Sequence, residues 1–97
     1  MADLIISYFD TVDKYVAGTP LKSETVTTSG TTAASAAIPV KSDVCSIFSA
    51  AAHYVTIGEG TPSAAASNSF YLPANQQMWL RTFVAEGQTV KIAAITA

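Results

Sequence analysis

Four short runs rich in β-branched and aromatic residues, the mark of extended strands, are separated along this chain by turn residues. They are Ala52 to Ile57, Ser69 to Leu72, Met78 to Ala85 and Thr89 to Ile95. Between them lie Gly58-Glu59-Gly60-Thr61-Pro62, Pro73-Ala74-Asn75 and Glu86-Gly87-Gln88, whose Gly, Pro and Asn supply the dihedrals that turns require. Short β-branched and aromatic runs spaced by turn residues spell out an antiparallel sheet domain. Val44 to Ala50 adds a further strand. In the stretch from 52 to 57, His53, Val55 and Ile57 share one face, while Tyr54 and Thr56 share the other. Met78 to Ala97 is expected to form a hairpin around Glu86-Gly87, with Val90, Ile92 and Ala94 on its buried side.

The first 42 residues are less regular. Leu4, Ile6 and Tyr8 alternate with Ile5, Ser7 and Phe9, and Val12, Tyr15 and Val16 follow. A helical spacing also runs through Leu4, Tyr8, Thr11 and Tyr15, but the β-branched and aromatic content favours an extended segment. Ala17-Gly18-Thr19-Pro20 ends it in a turn. Thr25 to Thr28 suits a polar edge strand, the alanines from 33 to 37 are too few for a stable helix, and Pro39 marks a strand start or edge. The expected architecture is all-β, a small antiparallel β-sandwich or barrel over residues 21–97 with an N-terminal arm or strand over 1–20. Deleting residues 2–17 is expected to weaken assembly and leave the hairpin region folded.

Composition bears on how such a domain is held together. A chain of 97 residues is one domain with a modest core. Cys45 is its single cysteine and His53 its single histidine, so neither an intrachain disulfide nor a Cys/His zinc site can be built, and association with other subunits is the remaining device. Charged residues make up only 12%, about half the usual share, and 39 of the 97 residues are Ala, Ser or Thr. Such a surface suits contacts with other subunits. The net charge is −2, and the five cations (Lys14, Lys22, Lys41, Arg81 and Lys91) are scattered, which argues against nucleic acid and against an anionic membrane surface. Leu4-Ile5-Ile6 is far too short to span a bilayer and follows Asp3 rather than a basic segment. A lone cysteine fits a chain made in a reducing cytosol.

The chemical motifs are weak. Gly58-x-Gly60 lacks the third glycine of a phosphate loop and the helix that would follow it, and a turn accounts for both glycines. His53 lies near Ser46, Ser49, Asp43 and Cys45, but no nucleophile-elbow pattern surrounds any serine. The carboxylates are dispersed and no calcium-binding loop is present. These residues give no catalytic set, no metal site and no cofactor site. The candidate interface residues are Leu4, Ile6, Tyr8 and Phe9 in the arm and Phe70, Tyr71 and Trp79 in the sheet, since Tyr and Trp suit half-wet contacts.

Four segments carry a resemblance: Ile57-Gly58, Thr61-Pro62-Ser63-Ala64-Ala65, Phe70-Tyr71-Leu72-Pro73-Ala74, and Glu86-Gly87-Gln88-Thr89-Val90-Lys91-Ile92-Ala93. In these turn and strand-end residues the C-terminal half resembles small tailed-phage virion proteins of the β-sandwich type. The resemblance implies a capsid decoration (cement) protein. Such a protein sits on the shell, often as a trimer, binds the major capsid protein between capsomers, and resides in the virion after synthesis in the host cytoplasm. A tail, neck or fibre-anchoring subunit is the alternative within a virion. A carbohydrate-binding module stacking sugars on Phe70, Tyr71 and Trp79 is the alternative outside one.

Overall fold

The computed structural model describes residues 2–9, 20–39, 42–82, 84 and 87–97. The described residues form eight strands: β1 Ala2–Phe9, β2 Lys22–Thr28, β3 Ala33–Ala34, β4 Val44–Ser49, β5 His53–Glu59, β6 Phe70–Leu72, β7 Gln76–Arg81 and β8 Val90–Thr96. All pairings are antiparallel, and they build two four-stranded sheets, β2-β1-β4-β7 and β3-β8-β5-β6. The all-β sandwich expected from the strand periodicity is therefore the observed architecture. No helix long and apolar enough to cross a membrane occurs among the described residues.

The core follows from the period of two. Leu4, Ile6 and Tyr8 of β1, Val26 of β2, Cys45 and Ile47 of β4 and Leu80 of β7 point inward from the first sheet. Val55 of β5, Leu72 of β6 and Val90, Ile92 and Ala94 of β8 meet them from the second. In β5, His53 and Val55 are buried and Ile57 packs on the core, which is the face the sequence assigned to them. Asn75 takes a positive φ of 60° in the turn between β6 and β7, where the chain passes from one sheet to the other.

Three expectations change. Residues 2–9 are a strand, but they do not stand outside the sandwich. They run between β2 and β4, registered through Leu4↔Val26 on one side and Ile6↔Ile47 on the other. The expected hairpin from Met78 to Ala97 does not form: β7 pairs with β4 in the first sheet, and β8 pairs with β5 and β3 in the second. The Thr82 N–H donates to the Asp43 carbonyl at 3.0 Å, so β7 keeps β4 as its partner to its end. Alternating strands on either side of a glycine turn describe an arch between sheets as well as they describe a hairpin. Finally, a strand forms where the sequence predicted none. Thr25 to Thr28 lie in edge strand β2, as expected, and Ala33–Ala34 make a short strand against Ala93 and Ala94. Val12, Tyr15, Val16 and the Ala17-to-Thr19 part of the expected turn lie outside the described residues.

The connection from β5 to β6 lies over the outer side of the second sheet. Gly58 has the outward parity of Tyr54 and Thr56, and a Cβ there would sit 3.1 Å from Pro62 Cβ. The Ala64 N–H donates to Thr32 Oγ1 at 2.9 Å, beside the opposite edge of that sheet. Ala93 shares the outward parity and is nonetheless fully buried. Gly60, at φ 72°, donates its N–H to the Thr89 carbonyl at 2.8 Å. The turn expected to account for both glycines holds Gly60 alone, since Gly58 is still in β5, paired with Lys91.

Candidate interaction surface

On the outer side of the first sheet, the registers place side chains on a grid. One row holds Thr25, Ile5, Phe48 and Gln77 across β2, β1, β4 and β7. The next holds Ser23, Ser7, Ser46 and Trp79, and a third holds Phe9, Val44 and Arg81. Thr27 and Asp3 stand at the other end. Ile5 is 46% exposed, Phe48 37% and Trp79 45%. Phe9 is covered by Trp79, with ring centroids 5.5 Å apart and planes tilted by 47°. Ser7 and Ser23 hydroxyls are 3.1 Å apart, and Gln77 Nε2 donates to Ser46 Oγ at 3.0 Å. These bonds hold polar groups between the apolar ones. Asp3 and Arg81, at diagonally opposite ends, are the charged residues of this grid. An open groove of about 460 Å³ is lined by Ile5 and Phe48 together with Asp3, Ser49, Ala50 and Ala51.

The outer side of the second sheet carries a smaller aromatic patch. Tyr71 stands opposite Tyr54 in the ladder, with centroids 5.6 Å apart, and is 51% exposed. Phe70, at the free edge in β6, is 55% exposed. The two broad sides of the molecule thus both present large apolar side chains to solvent.

The seven candidate interface residues therefore divide. Leu4, Ile6 and Tyr8 have no exposed surface and build the domain interior, so they are not open to a partner, while Phe9 lies on the outer side of the first sheet with little surface left uncovered by Trp79. Phe70, Tyr71 and Trp79 are on the surface, but they do not share one. Trp79 faces outward from the first sheet, and Tyr71 faces outward from the second, on the opposite side. The three-ring sugar platform is not formed. Ile5 and Phe48 were missed by sequence reasoning, although a signal was present: each is a large apolar residue on the opposite parity from its buried neighbours, Leu4 and Ile6 in one case and Cys45 and Ile47 in the other.

The residues with chemical potential are enclosed. His53 is fully buried, with Nε2 2.6 Å from Thr28 Oγ1 and Nδ1 2.8 Å from the Ala51 carbonyl oxygen. A carbonyl only accepts, so Nδ1 carries the proton, and in the neutral ring Nε2 accepts from the Thr28 hydroxyl. This is a structural bond between β5 of one sheet and β2 of the other, with no acid orienting the ring. His53→Leu breaks both bonds within an interior of unchanged volume. The variant is expected to lose about 2 kcal/mol, read as a lower urea midpoint at unchanged slope.

A second bridge joins the sheets near the other end of β1. The Tyr8 hydroxyl donates to Glu24 Oε1 at 2.7 Å, the Ala36 N–H just beyond β3 donates to Glu24 Oε2 at 3.4 Å, and the Ile92 N–H of β8 donates to Ser35 Oγ at 2.9 Å. Burial pushes the Tyr8 phenol well above its ordinary value. The Ser35 hydroxyl opposes the shift, and Glu24 adds to it by accepting the phenol proton and by its charge. Cys45 lies in the core opposite Tyr8, and burial pushes its thiol up to about 12, opposed by a backbone hydrogen bond with Leu80. A thiol in that state is neutral and unreactive. Among the described residues, no group of three or more His, Cys, Asp or Glu could hold a metal.

Comparison with protein-family models, with curated proteins and with solved structures finds no match to this chain.

Proposed function

We propose that this protein is a structural subunit of an assembled particle, a capsid decoration protein that bridges neighbours with its two broad sides. The observation that supports this reading is the placement of large apolar side chains on opposite sides of one thin sandwich: Ile5, Phe48 and Trp79 on one, Tyr54, Tyr71 and Phe70 on or beside the other. The molecule measures 32 × 31 × 20 Å. A slab with an apolar patch on each side suits joining two neighbours better than enclosing a small ligand. The virion setting is supported by the resemblance of the turn and strand-end residues, and many copies acting together supply avidity that one small patch lacks.

The test is addition of purified protein to expanded phage shells. Binding at fixed stoichiometry with a raised disruption temperature is the expected result; failure to bind refutes the decoration role. Tyr71→Ala with Phe70→Ser removes two aromatic side chains and is expected to weaken shell binding by about tenfold or more, while the thermal midpoint stays within a few degrees. Hundreds of copies per particle indicate the shell, whereas six to a few dozen would place the protein in a tail or neck.

A further inference from the structure

We propose that the outer side of the first sheet binds a second copy of this chain in a two-fold, face-to-face dimer. The inference goes beyond the shell-binding reading and stands on the geometry of this sheet alone.

This side of the sheet is complementary to itself. Asp3 and Arg81 lie two strands apart in the sheet order and three outward positions apart along the strands. With strands about 4.8 Å apart and a rise of about 3.4 Å per residue, they are separated by about 22 Å. Two copies facing each other across a two-fold axis exchange grid positions by reflection across that axis. An axis chosen to set Asp3 against Arg81 of the second copy crosses β4 between Ser46 and Phe48. The same axis then sets Phe48 within about 3 Å of the Trp79 position of the second copy on this grid. It sets Thr25 over Phe9, and leaves Ser7 and Gln77 facing their own counterparts. Fixing the two ion pairs therefore stacks the two exposed aromatic residues as well, and no like charges meet.

Other partners gain less from this side. One acid and one base at opposite ends give no net field for a polyanion or a polycation. A partner that meets both charges must carry the inverted arrangement, and a second copy does so by symmetry.

The size of the contact sets its strength. Four strands by seven residues cover about 450 Å² per copy, so the pair buries about 900 Å², at the small end of specific interfaces. The dimer is expected to dissociate on dilution through the micromolar range.

Sedimentation velocity on the full chain from about 1 to 500 µM tests this, since weak interfaces of this size populate both states there. A monomer–dimer equilibrium is expected. Asp3→Arg and Arg81→Asp each bring like charges together twice, and each is expected to weaken dimerisation by about tenfold or more. The double variant Asp3→Arg with Arg81→Asp restores the pairs and the affinity. Thermal melting of each variant confirms the fold, because both side chains are exposed. A monomer at all concentrations overturns the proposal, whatever the shell-binding result. So does a dimer indifferent to the single reversals, or one that the double variant fails to restore. A chain that dimerises as described but ignores shells would remove the decoration role and leave this dimer standing.

Discussion

Removing residues 2–9 is expected to leave the chain unfolded at any concentration. β1 is an inner strand, with its ladder to β2 on one side and to β4 on the other. Its loss detaches β2 and uncovers the inner side of β4. It also takes Leu4, Ile6 and Tyr8 out of the core, and each of these is fully buried. A buried side chain of this size contributes roughly 1.5–3 kcal/mol, and leaving its space empty adds to the cost. Three of them together come to about 4.5–9 kcal/mol before that addition, comparable with the roughly 5–15 kcal/mol by which a domain of this kind is stable. Far-UV circular dichroism and a urea titration decide the matter: a retained cooperative transition would show that the first sheet closes without β1. Leu4→Ala with Ile6→Ala is a milder version. At about 2–5 kcal/mol each, the pair is expected to lower the urea midpoint severely while the full-length chain is kept. The expectation that an N-terminal deletion spares the rest of the fold does not survive this topology, since no sheet edge separates residues 2–9 from the core.

The extent to which the sequence foretold this can be traced to particular residues. β5 was legible because its two sides differ: His53, Val55 and Ile57 meet the core, while Tyr54 and Thr56 meet solvent. Val90, Ile92 and Ala94 of β8 likewise point inward as their alternation indicated, although Ala93 on the other side is buried too. β1 was ambiguous because both its sides are apolar, Leu4, Ile6 and Tyr8 on one and Ile5 and Phe9 on the other. A segment apolar on both sides is what an inner strand with a sticky outer side looks like, and also what a docking arm looks like. β3 was invisible, since two alanines carry no periodicity and owe their extended form to Ala93 and Ala94 beside them. The arch between β7 and β8 was hidden for a different reason. Local alternation fixes which residues point inward but not which sheet a strand joins, and pairing partners lie far apart in the chain. The candidate surface was half legible: Trp79 stood out by type, whereas Ile5 and Phe48 needed the parity of their neighbours.

Raising the pH is expected to destabilise the fold through two groups that face each other in the ladder. Cys45 titrates at about 12 in the folded protein, against 9.0 for an ordinary thiol, and the Tyr8 phenol is raised above its ordinary 10.0. In both cases the folded state holds the proton longer than the unfolded chain does. The stability involved is complete below the unfolded value and is lost as pH rises from there toward the folded value. The unfolded chain thus gains about 1.4 kcal/mol per pH unit from Cys45 above pH 9, and the same again from Tyr8 above pH 10. Between pH 8 and pH 10.5 the loss is expected to reach about 3 kcal/mol, a large fraction of the stability of a small domain. Urea titrations at the two pH values measure it. Cys45→Ala lowers stability at pH 8 by leaving a small void, but it deletes the thiol's part of the pH dependence. The variant is expected to lose only about 1 kcal/mol over the same interval. Equal losses in the two proteins would mean that Cys45 meets water in the folded state, which its place between Tyr8 and Leu80 in the ladder opposes. The same burial that makes this thiol useless as a nucleophile makes it a reporter on the closure of the first sheet, because any opening of β1 from β4 exposes it to ionisation.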